Sequence, residues 1–402
     1  MNPIALAPAD PLLFLSVDAS RTGSPRILAS LLHWLATSTD HPRQLLLEHG
    51  GPLLTELQRD AEVRVLERGV GRSRPEAIAL GLDELGRHGG ARRVRRARLR
   101  QRRRGLPSPG LVWANGAGTL RWLDALPPEV PVVAHIHELE VGIDRSLAGL
   151  DVTAALARPQ LLVAVSQAVA DHLVDERGVD PARVIVHHAW HSDAGGAALP
   201  PGARADPAVE LGLPPEALLV LGCGTVGWRK GTSLFLALAQ ALGPKVGGRP
   251  VHWAWLGSGR ADDVAHAERE RVLRGLADRV HLLGERADVR PWFDACTAFA
   301  LTSREDPFSL VALEAAAAGK PVLAFASGGV AELVGPDADA CVSDLLDLDG
   351  FTRRLHAVLA DDDLRARLGD AARAAAARHE AADAIPRLWS AVTGEQVGPL
   401  GH

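Results

Sequence analysis

The chain has 402 residues, is 47% hydrophobic and 23% charged, and carries a formal net charge of −5. That length exceeds one ordinary core, so two domains are expected of a composition that is otherwise plainly globular. The negative balance excludes a general attraction to nucleic acid or to an anionic surface, and it makes any local basic cluster conspicuous.

The first twenty residues lack a basic n-region and do not read as a signal peptide. No apolar run reaches the roughly 18 residues that a membrane helix needs. Cys223, Cys296 and Cys341 are too widely spaced for a zinc site, and Cys223 and Cys296 read as buried thiols. A cytoplasmic protein is the expectation.

In chain order, short apolar runs alternate with helical patterns. PLLFLSVD (11–18) reads as a strand and PRILASLLHWLAT (25–37) as a helix. RQLLLEHG, AEVRVLE, GLVWANG, VPVVAHIH, PQLLVAVS and RVIVHHAW come next as strands. This alternation predicts a parallel sheet covered by helices on both faces. The run ALPPGARADPA (198–208) breaks the pattern and marks a linker. The alternation then restarts. Strands are predicted at 217–224, 251–257, 279–284, 298–303 and 321–326, and helices at 232–242, 309–319 and over 351–380. The boundaries are a first domain over 1–198, a linker at 199–207, a second domain over 208–380 and a helical tail at 381–402.

One segment departs from the rest. ARRVRRARLRQRRR (91–104) holds nine arginines in fourteen residues, with a thin apolar stripe of Val94, Ala97 and Leu99. It reads either as a solvated connecting helix or as a basic face, Arg92–Arg104, that touches anionic lipid or a polyanionic acceptor. Without interleaved aromatics it does not read as a nucleic-acid site.

Gly222, Gly224 and Gly227 spell G-x-G-x-x-G directly after a strand. A dinucleotide fingerprint also needs an acid at the end of the next strand, and that strand ends Leu256-Gly257-Ser258-Gly259 instead. The glycines lead into Trp228-Arg229-Lys230-Gly231 and then a helix. Arg offers a fork of donors and Lys a compact charge, both suited to a diphosphate. Glycines let backbone amides approach, and a helix N-terminus adds a favourable dipole.

The string TSREDPFSLVALEAAAAGK places Asp306 and Glu314 around a helix start with seven residues between them. Pro307 suits the turn, Ser309 is a candidate N-cap, and Glu314 stands among Val311, Ala312, Leu313 and Ala315. A carboxylate buried there requires a hydroxyl or amide partner, and a ribose diol would serve. Lys320 reads as structural, since no Walker A pattern surrounds it.

These residues resemble the retaining glycosyltransferases of family 4, also called glycosyl transferases group 1. The E-x7-E motif of that family is matched by Asp306-x7-Glu314, and its phosphate-binding Arg and Lys by Arg229 and Lys230 in GTVGWRKG. GGVAELV (328–334) and SQAVADHLVDERGVDPARVIVHHA (166–189) are similar to further family segments. The resemblance implies the GT-B fold, an α/β architecture of two Rossmann-like domains whose parallel sheets face across an interdomain cleft. It implies a donor site of Gly224, Thr225, Arg229, Lys230, Asp306, Pro307, Phe308, Ser309, Leu310 and Glu314. The neighbourhood of Gly284, Glu285 and Arg286 would read the nucleotide base. In the first domain it implies that Gly23 offers an amide to the leaving phosphate and that His137 meets the sugar, with His135 as runner-up and Glu138 as an acceptor-side acid. The tail near 385–392 would pack back on the first domain. The first acid is Asp306 where the family has Glu, which leaves the donor sugar open.

The implied reaction moves a sugar, with retention, from a UDP- or GDP-sugar to a hydroxyl of an unidentified acceptor. It needs neither metal nor cofactor, and Arg229, Lys230, His137 and Asp306 are the catalytic candidates. Asp337-x-Asp339 and Asp347-x-Asp349 have D-x-D spacing but read as loop acids. Two alternatives remain open on the sequence: a sugar phosphorylase or nucleotide-sugar hydrolase or epimerase on the same fold, and a non-catalytic sugar-nucleotide-binding subunit.

Overall fold

The computed structural model describes residues 3–66, 74–191, 206–286 and 288–397. The chain forms two compact units, Met1–Ala189 with Ala381–His402, and Trp190–Glu380. The linker expected at 199–207 lies outside the described residues except for its last two, and Pro207 begins a short helix capped by the Asp206 carboxylate.

The first unit is built on seven strands: β1 (Leu12–Ser16), β2 (Arg43–Leu47), β3 (Glu62–Val65), β4 (Leu111–Asn115), β5 (Val132–Ile136), β6 (Leu161–Ala164) and β7 (Val184–Val186). They lie in the order β3-β2-β1-β4-β5-β6-β7, and all pairs are parallel. The central strands β1, β4, β5 and β6 are buried along their whole length. That is why they read as unbroken apolar runs rather than alternating ones.

The second unit repeats the plan with β8 (Leu218–Cys223), β9 (Lys245–Val246), β10 (Arg249–Leu256), β11 (Val280–Leu282), β12 (Ala298–Leu301), β13 (Val322–Phe325) and β14 (Val342–Ser343). The order is β11-β10-β8-β12-β13-β14, parallel throughout, with β9 antiparallel on β10. The two-residue strands β9 and β14 escape prediction because two residues carry no periodicity. The helix expected over 351–380 is two helices, Leu348–Ala360 and Asp362–Ala377. They are broken at Asp361, whose carboxylate caps the second by accepting from the Leu364 amide at 2.9 Å.

The arginine run forms the helix His88–Arg102. It is not simply solvated. Arg95 and Arg98 are buried, and Arg98 donates to the Leu66 carbonyl at 2.9 Å with its guanidinium over the Trp122 ring. Arg92, Arg93, Arg96, Arg100 and Arg104 are exposed. Among the described residues no helix is long and apolar enough to cross a membrane.

The tail helix Ala381–Thr393 belongs to the first unit and buries Ile385, Leu388, Trp389 and Val392. The Trp389 indole donates to Glu395 at 2.8 Å. The other carboxylate oxygen of Glu395 meets the buried His41 ring at 3.2 Å, and the Ile4 amide donates to the Val392 carbonyl at 2.8 Å. Trp389→Ala is therefore expected to cost the first unit about 3–5 kcal/mol. Amide exchange resolved along the chain checks this: protection should fall across β1–β7, and a loss confined to β8–β14 would contradict the packing.

Candidate functional site

The second sheet changes direction at β8, whose neighbours are β10 on one side and β12 on the other. Such a reversal opens a crevice at the C-terminal ends of the strands, where open α/β sheets bind ligands. The loops that leave β8, β10, β12 and β13 meet there.

The glycines at the end of β8 and in the turn after it are required by crowding. A Cβ on Gly222 would stand 2.7 Å from the Trp255 ring and 2.8 Å from Phe235. Gly224 has φ +148°, and a Cβ there would sit 3.1 Å from Cγ of Lys230. The Lys230 stem thus runs over a residue that has no side chain. Gly231, at φ +69°, caps the helix Thr232–Leu242, and a Cβ on it would overlap the Thr302 carbonyl oxygen. The Thr302 hydroxyl donates to the carbonyl of Gly231 at 3.1 Å. The cation turn is thereby bound to the loop after β12.

Across that junction the charges meet. Lys230 Nζ donates to Asp306 Oδ2 at 2.6 Å, and Ser303 Oγ donates to the same oxygen at 3.0 Å. Arg229 Nη1 donates to the Glu305 carbonyl at 3.0 Å. Asp306 is only 3% exposed. Burial alone would raise its pKa, but the charges of Lys230 and Arg229 and the two hydrogen bonds outweigh it and hold the carboxyl below its usual range. Its backbone is fixed as well: the amide donates to Ser327 at 2.8 Å, and the carbonyl accepts from Gly329.

The remaining candidates of this unit fall around that cluster. Pro307, Phe308 and Ser309 are buried, and the Phe308 ring lies 5.2 Å from His379. Ser309 caps the helix Leu310–Ala317 as expected, accepting from the Ala312 amide. Leu310 and Glu314 on that helix are half-buried, so Glu314 is less enclosed than its apolar neighbours suggest. Thr225 is exposed on the glycine turn. The Arg286 side chain is engaged within the unit. It donates to the Leu283 carbonyl and to Glu210, both at 2.6 Å, because a carboxylate on the neighbouring helix Pro207–Leu211 is within its reach. Only the backbone of this stretch stays with the strand ends, where Gly284 accepts from the Gly257 amide at 2.8 Å. Lys320 donates to the Asp294 carbonyl, Asp337 pairs with Arg367, and Asp347 caps a helix.

Sequence reasoning missed Ser303, Thr302 and the pair Trp228–Arg304. Trp228 is 60% exposed, and Arg304 lies over its ring at 5.3 Å while donating to its carbonyl at 2.7 Å. Hydroxyl residues directly after a buried strand were the available signal for Thr302 and Ser303.

In the first unit, Gly23 opens the helix Gly23–Ser38. His137 comes just after β5, and its Nε2 lies 3.1 Å from Asn115 Oδ1. Burial lowers its pKa to about 3, so the ring is neutral at physiological pH. His135 is corrected as a runner-up. It has no exposed surface and packs between the Trp113 ring at 5.7 Å and His137 at 4.2 Å, because β5 is an inner strand at that position. The Glu138 carboxylate ties backbone rather than standing open: it accepts from the amides of Ala117 at 3.0 Å and His137 at 2.9 Å.

Removing Lys230 would leave Asp306 buried and charged without its cation. Lys230→Met is accordingly expected to destabilise the second unit by about 3 kcal/mol as well as remove the cation. Thermal melting checks it. The Lys230→Met, Asp306→Asn double variant should melt higher than Lys230→Met alone, and equal midpoints would count against the pair.

Residues 217–361 match the family described as glycosyl transferases group 1. The chain is 32% identical over 297 residues to the D-inositol 3-phosphate glycosyltransferase of Xylanimonas cellulosilytica, covering 69% of this chain and 70% of that one. It is 33% identical over 206 residues to the lipopolysaccharide core biosynthesis mannosyltransferase LpcC of Rhizobium leguminosarum, covering 49% of this chain and 57% of the relative. Anabaena HepE, solved in complex with UDP-glucose, superposes with a TM-score of 0.72 at 20% identity, over 95% of this chain and 98% of its own. WaaG, a glycosyltransferase involved in lipopolysaccharide biosynthesis, superposes at 0.69 with 16% identity, over 96% and 100%. With its two parallel sheets and its strand-end cluster of cations and acid, the chain belongs to the group 1 glycosyltransferases and has their GT-B fold.

Proposed function

We propose that this glycosyltransferase takes a sugar from a UDP- or GDP-sugar and passes it, with retention and without a metal, to a hydroxyl acceptor. The observation that carries the reading is the cluster of Arg229, Lys230 and Asp306 at the C-terminal ends of β8 and β12. It combines two cations suited to a diphosphate with an ionised carboxylate suited to sugar hydroxyls.

In this reading the sugar–phosphate bond breaks through an oxocarbenium-like state. Arg229 and Lys230 meet the charge that develops on the leaving diphosphate, a stabilisation fixed before the reaction begins. The amide of Gly23, at a helix N-terminus, adds a further donor. Lys230 and Ser303 both bond the Asp306 carboxylate at Oδ2. Oδ1 is then the oxygen proposed to accept from a sugar hydroxyl. Gly224 and Thr225 line the phosphates, Pro307, Phe308, Ser309 and Leu310 bring the helix start to them, and Glu314 takes the ribose. The backbone of 284–286 reads the base. Metal independence is supported by cations of the chain itself standing where a divalent ion would otherwise be needed. Cys223, Cys296 and Cys341 are thiols rather than disulfide partners, which supports a reducing, cytoplasmic setting. HepE has been captured with UDP-glucose and LpcC is named a mannosyltransferase, which makes UDP-glucose and GDP-mannose the first donors to try.

A donor at a hundred times its Kd should stabilise the protein by about 2.7 kcal/mol, read as a rise in melting temperature. Arg229→Ala should lower kcat by roughly 100- to 1000-fold with a smaller drop in melting temperature than Lys230→Met, because Arg229 hydrogen-bonds a backbone carbonyl and supports Asp306 only through its charge. Turnover should survive EDTA. A strict Mg²⁺ or Mn²⁺ requirement, or wild-type kcat in the Arg229 variant, would overturn this reading. Product analysis with and without acceptor separates transfer from phosphorolysis or hydrolysis.

The exposed Arg92, Arg93, Arg96, Arg100 and Arg104 support a second element of the proposal, contact with an anionic lipid surface. Each arginine near such a surface contributes about 1 kcal/mol. Vesicles rich in anionic lipid should sediment the protein and neutral vesicles should not. Replacing Arg93, Arg96 and Arg100 with Gln should abolish the difference, and binding that persists in that variant would rule this face out.

A further inference from the structure

Asn115, the last residue of β4, is 2% exposed and lies between Ser16 of β1 and His135 of β5 in the sheet register. A buried amide must have partners for both its oxygen and its nitrogen. Asn115 Nδ2 lies 3.1 Å from the Ser24 carbonyl oxygen and 2.8 Å from Ser24 Oγ. A carbonyl can only accept, so the amide nitrogen faces Ser24 and the orientation of the side chain is decided. Oδ1 then faces His137 Nε2 at 3.1 Å.

Oδ1 in turn can only accept, so His137 Nε2 must carry a hydrogen. The ring stays neutral, because burial opposes its charge. The neighbouring His135 ring at 4.2 Å is itself buried and neutral, and the adjacent Glu138 carboxylate binds the backbone amide of His137. A neutral ring with hydrogen on Nε2 keeps its lone pair on Nδ1. His137 can therefore accept a hydroxyl hydrogen at Nδ1 but cannot donate there. Ser24 is the second residue of the helix Gly23–Ser38, so the same amide fixes the start of the helix whose first amide belongs to Gly23.

We propose that Asn115 is a positioning residue for sugar transfer, holding His137 in its Nε2–H tautomer while anchoring the Gly23 helix start through Ser24. This rests on the reading that His137 and Gly23 face the donor, and it adds the group that sets both.

The test uses the full chain labelled with ¹⁵N-histidine. Long-range ¹H–¹⁵N NMR of the wild type should show His137 protonated at Nε2 and bare at Nδ1. Asn115→Ala should give a mixture of tautomers and lower kcat by roughly 10- to 100-fold, with the donor KM changed far less. Asn115→Asp keeps an acceptor for Nε2–H but loses the donor to Ser24. It should retain the tautomer and recover only part of kcat. In a His137→Ala background, Asn115→Ala should cost much less than in the wild type. Hydrogen on Nδ1 in the wild type, or an unchanged tautomer in Asn115→Ala, overturns the proposal for Asn115. The first of these needs no variant to fold. Wild-type kcat in His137→Ala, with the tautomer as described, instead overturns the reading of His137 and with it any role for Asn115 in transfer.

Discussion

A carboxylate that is 3% exposed cannot stay ionised without a cation, and Asp306 has Lys230 at 2.6 Å. Much of the surrounding backbone is shaped to allow that contact. The Lys230 stem crosses Gly224, where a Cβ would crowd it, and the next residue, Gly231, presses against the Thr302 carbonyl. Asp306 is clamped from the other side by Ser327 and Gly329. Three loops, after β8, β12 and β13, thus meet at one point, joined by the ion pair, by the Thr302 hydroxyl on Gly231 and by the backbone bonds of Asp306. Each takes a backbone conformation or an approach that a bulkier residue would forbid.

The short side chain contributes to this. Aspartate has one fewer rotatable bond than glutamate, and both backbone groups of Asp306 are engaged. The carboxylate position is therefore set by the main chain, with little torsional freedom left to lose. In the proposed reaction such a fixed charge is worth more than a flexible one, because nothing has to reorganise as charge develops. Lys230 is then shared between Asp306 and the leaving phosphate. The Arg229 guanidinium, held by one backbone carbonyl, is the cation with donors to spare.

How much of this was legible depends on the physical range of each signal. Twelve of the strands were visible, the inner ones because a strand buried on both faces is a nearly continuous apolar run, as VVAHI and LLFLS are. Arg229, Lys230, Asp306 and Ser309 were visible because local rules fix them: glycines before a helix, a proline turn, a cap. The Lys230–Asp306 contact was not, since 76 residues separate the partners and only the pairing of β8 with β12 brings them together. The Arg286 ion pair was hidden for the same reason. Its partner Glu210 is equally distant in sequence, so a cation beside the strand ends looked uncommitted. Asn115 gave no signal at all. An asparagine ending a strand is ordinary, and its value lies in two neighbours, Ser24 and His137, reached 91 residues back and 22 forward.

The two units differ in how they treat charge, and that difference bears on the route of the proton. The second unit concentrates formal charges at its strand ends and keeps Asp306 ionised. The first unit offers uncharged polar groups: an amide, a serine, and a histidine whose pKa burial has lowered to about 3. A base that weak gains little by taking a proton from a sugar-accepting hydroxyl at neutral pH, because proton-transfer driving force tracks basicity. Glu138 is occupied with backbone amides. In the proposed reaction, the diphosphate oxygen released at the anomeric centre is then a better proton acceptor than His137 or Glu138. Retention results naturally if the acceptor hydroxyl is deprotonated by the group that has just departed from the same face of the sugar.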